Sequence, residues 1–165
     1  MRISTDATQH TQLRLQGRQH RERLHFASLR NTRENRMTIS PTLASDAADK
    51  LAVVDALHRF AAGIDLRDNS LLSSSLAEHA VLDFRPAAAK AGFEYPVIEG
   101  REVIVAALTG SLATLDTTHC VTNPRVTVDG DTAHLQALVE AQHVPRNDPT
   151  RHYLMKNRYE IELAR

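Results

Sequence analysis

Asp129-Gly130, flanked on both sides by alternating apolar and polar residues, constrains the fold more than any other stretch of the chain. Type I′ hairpin turns need positive φ at both central positions, which Asp and Gly tolerate and branched residues do not. The chain is therefore expected to enter this turn as a strand from Thr117 to Val128 and to leave it as a second strand reaching His143. In the second arm Ala133, Leu135, Ala137, Val139 and Ala141 share one face, and His143 follows in phase. Alanine leaves space where leucine would fill it, so this face reads as the wall of a cavity with an imidazole at its end. The competing reading of His143 alone is a structural histidine at a strand end.

Register decides between these readings. With a plain turn Val128 pairs with Asp131, and His119 then pairs with Glu140 and faces away from His143. A one-residue bulge would bring both imidazoles to one face. Asn123-Pro124 is the natural place for it, because proline cannot donate to the ladder and sheets accept it at bulges or edges.

At 165 residues the chain suits one domain with a real core. The single Cys120 excludes an intramolecular disulfide and fits a reducing, cytoplasmic compartment, where an in-strand cysteine is usually a small buried hydrophobe. No run approaches the roughly 18 apolar residues of a membrane span. The glycine-rich nucleotide motifs, G-x-S-x-G and C-x-x-C are all missing, so nucleotide-fold and thiol chemistries lose their usual signatures. Zero net charge hides an asymmetry: residues 1–36 carry eight arginines against three carboxylates, a net of +5, which leaves −5 on the remainder. Residues 1–38 lack a sustained apolar stripe and read as a disordered basic leader outside the domain, which is expected to span 39–165. Met37 resembles an alternative start, while a transit peptide or a nucleic-acid-binding arm are other readings of the same arginines. His10, His20 and His25 are read as solvated.

A helix is expected from Ser45 or Asp46, with Leu51, Val54, Leu57, Ala61 and Ile64 as its apolar stripe. Asp65 falls on or beside that stripe near the helix end, where a carboxylate meets the negative pole of the dipole at a cost of about 0.3–1 kcal/mol. Either something compensates it, or the helix has already ended and Asp65 joins Asp68 in a solvated turn. His58 reads as half-exposed. A short helix follows Asp68-Asn69-Ser70, then a strand over residues 80–85 that Pro86 stops, then a lid over 86–99 carrying Phe93, Tyr95 and Pro96. Val103, Ile104, Ala107, Leu108, Leu112 and Leu115 mark another core-facing helix. After the hairpin, Tyr153, Met155, Asn157, Tyr159, Ile161 and Leu163 alternate to the end, with Asn157 the odd polar member of the row. This order indicates an α+β domain in which N-terminal helices pack on one face of a cone-shaped, curved antiparallel sheet.

Helix-terminal Asp65, Leu82-Asp83-Phe84-Arg85-Pro86, Thr118-His119-Cys120-Val121-Thr122-Asn123 and Asp129-Gly130-Asp131-Thr132-Ala133 together make residues 46–165 resemble the SnoaL-like branch of the nuclear transport factor 2 superfamily. Scytalone dehydratases, polyketide cyclases and ketosteroid isomerase-type folds belong with it. The resemblance implies a cofactor-free lyase or isomerase, of dehydratase or cyclase type, acting on a small cyclic carbonyl or polyketide-like compound. Asp65, His119 and His143 match the scytalone dehydratases' carboxylate and two histidines. In such a site a carboxylate-oriented imidazole removes a proton alpha to a carbonyl, and the second imidazole returns one to a departing hydroxyl. Phe84, Asn123, Tyr153 and Asn157 are the expected substrate contacts. Phe84 and Ile64 stand where that family carries tyrosines, so two hydroxyls are missing. The resemblance also implies homodimerisation through the sheet, and by its pattern a final strand beyond Arg165 is missing. No cofactor, nucleic acid or membrane partner is expected. The alternative on the same fold is a non-catalytic small-molecule-binding or accessory subunit. A metal site from His143, His152 and a carboxylate is a further reading, against which the intervening Pro145–Pro149 turn counts.

Overall fold

The computed structural model of the protein describes residues 2–6 and 41–165, with backbone only for 2–6 and for residue 41. In chain order the elements are β1 (Arg2–Asp6), α1 (Pro41–Leu66), α2 (Asn69–Ser74), β2 (Val81–Asp83), α3 (Arg85–Lys90), β3 (Ile98–Glu99), α4 (Arg101–Ser111), β4 (Leu115–Asp129), β5 (Thr132–Pro145) and β6 (Tyr153–Ala164). They form an α+β domain, with helices packed on one face of an open six-stranded sheet of order β3-β2-β1-β6-β5-β4. The β4–β5–β6 part is antiparallel throughout.

β1 lies between β2, to which it is parallel, and β6, to which it is antiparallel. Five residues of the expected leader thus belong to the sheet, and they flank β6 where the sequence suggested an unfilled edge. The edges are β3 and β4. The rest of the leader, including His10, His20, His25 and Met37, lies outside the described residues.

α1 begins at Pro41, before the expected caps, and proline's fixed φ suits a first turn. Its buried stripe is Ala56, Leu57, Phe60, Ala61 and Ile64, whereas Leu51 is 70% exposed. The amphipathic period is present, and Val53 and Val54 still pack against the core, but the stripe is exposed at Leu51. In α4, Ile104 and Leu108 face the core and Val103 does not. Leu135, Val139, Ile161, Leu82 and Phe60 lie at the centre of the core, and full burial of such side chains contributes about 1.5–3 kcal/mol each. The strand at Leu82 ends at Asp83, and Arg85-Pro86 open α3 in place of the expected loop.

The C-terminus of α1 is held unusually firmly. Arg67 has a φ of 56°, in the left-handed region. Its N–H donates to Ile64 O at 3.2 Å, and Asp68 N–H donates to Gly63 O at 2.9 Å, the paired bonds that close a helix through a left-handed residue. A non-glycine residue there carries strain of roughly 1–2 kcal/mol, and the Arg67 guanidinium offsets it by donating to the carbonyls of Leu112 and Leu115. Asp68 then caps α2 by accepting from the N–H groups of Ser70 and Leu71 at 3.0 and 2.9 Å. Gly63 lets α2 approach α1, since a Cβ there would lie 2.5 Å from the Leu72 nitrogen. Among the described residues no helix is long and apolar enough to cross a membrane.

Candidate active site

The turn falls one residue later than expected, since Val128 pairs with Ala133 and Asp129 with Thr132, leaving Gly130 at a φ of 55° and Asp131 in the turn, but the β4–β5 ladder contains the bulge expected at Asn123-Pro124. Thr122 pairs with Leu138 and Arg125 with Gln136, so two residues of β4 stand against Ala137 alone. Asn123 adopts a left-handed φ of 52° to make the extra residue fit. Upstream of the bulge every β4 partner moves by one residue, putting His119 opposite Ala141 and Thr117 opposite His143. Both imidazoles therefore face the helices, with ring centroids 6.2 Å apart and planes at 76°.

Asp65 is still helical, in the last turn of α1, and its compensation comes from β4. Oδ1 accepts from the Thr117 hydroxyl at 2.9 Å and lies 2.6 Å from His119 Nδ1, while Oδ2 accepts the His119 backbone N–H at 2.7 Å. Burial alone would raise the Asp65 pKa. The hydrogen bonds and charge of His119, with the Thr117 bond, outweigh that and hold the carboxyl below its usual range. An ionised Asp65 fixes the proton of His119 on Nδ1 and leaves Nε2 with a free lone pair. The His119 side chain is only 6% exposed.

That imidazole borders a cavity of about 340 Å³, within the range of roughly 300–1,000 Å³ usual for small-molecule sites. Its floor is the β5–β6 face, where small Ala141 lies between His119 and Met155. Phe84, α3 and the Leu108–Leu112 end of α4 form the other wall. Phe93 and Tyr153, 48% and 42% exposed, stand at the rim. The lining is largely apolar and contains neither lysine nor arginine.

Of the residues expected at the site, Asp65 stands behind His119, and His119, His143, Phe84, Tyr153 and Asn157 line the cavity. Asn123 does not. It is the exposed left-handed residue of the bulge, and the same irregularity that aligns the histidines turns it out of the site. Phe93 and Tyr95 line the cavity as the expected lid, but Pro96 does not. Cys120, expected to be buried, is exposed, and His58 is exposed on α1. No metal-binding cluster of three His, Cys, Asp or Glu residues occurs among the described residues, and His152 is exposed. For His143, burial first and the nearby His119 second lower the pKa, favouring the neutral ring. Its Nδ1 is enclosed without a hydrogen-bond partner among the described residues.

Two contributors went unnoticed in the sequence. Thr117 precedes His119 by two residues and so shares its face. Tyr159 follows Asn157 by two, and its ring packs against Phe84 with centroids 5.9 Å apart. Strand alternation carried both signals. What it lacked was knowledge of which stretch of the inner face is covered by core and which by cavity.

Comparison with known proteins agrees with this architecture. A candidate aromatic ring hydroxylase from Novosphingobium aromaticivorans has 27% identity over 72% of this chain and 80% of its own, with a TM-score of 0.62. The hexachlorocyclohexane dehydrochlorinase LinA-type3 from Novosphingobium barchaimii has 19% identity over 74% and 80%, with a TM-score of 0.61. A candidate dehydratase of the NTF2-like family from Streptomyces avermitilis has 17% identity over 73% and 87%, with a TM-score of 0.54. No curated protein matches the chain. The SnoaL-like domain family matches residues 45–165, and it is to this family, within the NTF2-like fold, that the chain belongs.

Proposed function

We propose that the protein is a cofactor-independent lyase of dehydratase type, in which Asp65 and His119 form the general base for a small cyclic carbonyl or polyketide-like substrate. The observation that carries this reading is the 2.6 Å contact between Asp65 Oδ1 and His119 Nδ1 at the edge of an apolar cavity. A half-buried carboxylate that orients an imidazole and leaves one ring nitrogen free is an arrangement suited to proton abstraction. The dehydrochlorinase and dehydratase names of structural neighbours support the reaction class.

In the proposed step His119 Nε2 takes the proton from the carbon next to the carbonyl. The C–H electron pair becomes the new C=C bond as the hydroxyl leaves the β-carbon. The imidazolium returns the same proton to that hydroxyl, so water departs and the base is regenerated. Double-bond isomerisation and aldol-type ring closure share the first half. His119 suits the return better than His143, because a ring held neutral is a poor proton donor. His143 and Asn157 then serve as polar contacts, with Phe84 and Tyr153 covering the ring. An accessory, non-catalytic role is the second reading, favoured by Ile64 and Phe84, which lack the hydroxyls that the resemblance would put there. An accessory subunit has no need of the Asp65–His119 pair.

The test is deuterium exchange of 2-tetralone in D₂O, followed by NMR at the carbon next to its carbonyl. Wild type should exchange well above buffer, and His119→Ala and Asp65→Asn should each lose about 10²–10⁴-fold. Exchange by His119→Ala equal to wild type would remove His119 from the role. A wild type no faster than buffer favours the accessory reading.

A further inference from the structure

β4 is an edge strand, and the start of it carries Thr117 and His119. Just past β5, the Arg146 N–H donates to Thr114 O at 3.0 Å. In an antiparallel ladder, rows that exchange such bonds alternate with rows that do not. The rows Leu115–Pro145, Thr117–His143 and His119–Ala141 are therefore of the second kind. The Leu115 carbonyl and the His119 N–H face the free edge of the sheet, where each needs a partner from outside the ladder.

Two side chains at the end of α1 supply those partners. Asp65 Oδ2 accepts the His119 N–H at 2.7 Å, and Arg67 Nη2 donates to the Leu115 carbonyl. The same guanidinium donates to Leu112 O through Nη1 and Nη2, at 3.3 and 3.2 Å. It thus holds the turn between α4 and β4 together with the first residue of β4. Thr117, whose hydroxyl donates to Asp65 Oδ1 at 2.9 Å, lies between the two attachments. Among the described residues Arg67 forms no ion pair with Asp65, so it acts on the strand and not on the carboxylate. Its φ of 56° is one that glycine adopts without steric cost and other residues resist. An arginine held in such a conformation points to a task for its side chain.

We infer that Arg67 is a positioning residue for the Asp65–His119 pair: by clasping Leu112 and Leu115 it fixes the start of β4 against the end of α1, and so sets carboxylate against imidazole. The inference rests on that pair being the base, but its first readout does not. Arg67→Gly removes the clasp and the backbone strain together, so it should fold and melt near wild type. Arg67→Lys keeps the charge without the planar fork, and it carries the same readouts should the glycine variant melt early. NMR of the ¹⁵N-labelled His119 ring should show one tautomer in wild type, protonated on Nδ1. In Arg67→Gly it should show a mixture of tautomers with a rapidly exchanging Nδ1 proton. Exchange of 2-tetralone should fall about 10–100-fold in kcat with KM unchanged, as lost alignment does, and Arg67→Lys should fall between. In an Asp65→Ala background, Arg67→Gly should cost nothing further, because the clasp works through Asp65. A wild-type His119 ring spectrum in both Arg67 variants would overturn the inference whatever the exchange rates, and so would an undiminished loss in the Asp65→Ala background. A wild type no faster than buffer, with a ring spectrum that Arg67→Gly alters, removes the base and leaves the positioning intact.

Discussion

At the α1 end of the cavity both oxygens of Asp65 are engaged, one by Thr117 and His119 and the other by the His119 backbone. On the β6 wall, on the same face of the same sheet, the side chains of Asn157 and Tyr159 have no hydrogen-bond partner among the described residues. The difference teaches how to tell a built site from a reading surface. Polar groups satisfied by protein are fixed before any ligand arrives, which is what a base needs if it is to be aligned without reorganisation. Polar groups left open in a buried wall lower stability and gain a partner only when something binds. One sheet thus carries two kinds of polar residue, and removing each kind should change stability with opposite sign.

The largest effect expected on the built end comes from its foundation. Gly63→Ala would place a Cβ 2.5 Å from the Leu72 nitrogen, a backbone atom that cannot swing aside. α1 and α2 would have to separate, and Asp65 is two residues along from the contact. The expected loss is about 3 kcal/mol, or roughly 10 °C in melting temperature, together with weaker Asp65–His119 coupling. Calorimetric melting checks the first, and NMR of the His119 ring protons checks the second. A melting temperature within a degree of wild type would mean that the helices are not in register as described.

Smaller, and opposed in sign, are Thr117→Val and Asn157→Leu. Thr117→Val deletes one of the bonds to Asp65 and should destabilise by about 1 kcal/mol, with a severalfold loss of exchange activity. Asn157→Leu replaces an unpaired amide by an apolar group of similar size, so stability should hold or rise by up to about 1 kcal/mol while ligand affinity falls. Chemical denaturation of both variants reads the two signs directly. If both lose stability alike, Asn157 is as firmly bonded in solution as Thr117, and the contrast between the two ends disappears.

How much of this could be read beforehand follows from the range of each signal. The hairpin, the small-residue face of β5 and the inward row of β6 are local alternations; the two strand faces appear where the sequence placed them, whereas the turn falls one residue later, at Gly130-Asp131 with Asp129 paired to Thr132. The bulge was also legible, because Pro124 cannot pair regularly and a shared histidine site requires a shift of one residue. Asn123 was assigned to the wrong side because a bulge aligns its neighbours while turning one of its own residues outward. Leu51 and Val103 were assigned to the core because periodicity shows a stripe without showing which of its members another element covers, and both are exposed. The place of Arg2–Asp6 between β2 and β6 depends on pairing across nearly the whole chain, which no local pattern encodes. That Tyr159 borders the cavity depends on an empty volume, and a sequence does not show empty volumes.

The smallest expected effect separates the two histidine environments by pH. The folded chain holds His143 below its ordinary value of 6.5, chiefly by burial. As pH falls through about 6.5 the unfolded chain takes up a proton that the folded chain resists, so stability declines on the acid side of that value and not on the alkaline side. Asp65 acts lower. Its folded pKa lies below 3.8, so its stabilisation is present above 3.8 and is lost only as pH falls through the depressed value. Between pH 7 and 5 the melting temperature of wild type should therefore drop by roughly 1–3 °C more than that of His143→Gln, whereas Asp65→Asn should depart in slope from wild type only near pH 4 and below. Parallel curves for wild type and His143→Gln across pH 7 to 5 would mean that water reaches the His143 ring in the folded protein. The cavity would then be wet at its histidine end, and an imidazole base there would lose the dry surroundings on which the proposed chemistry depends.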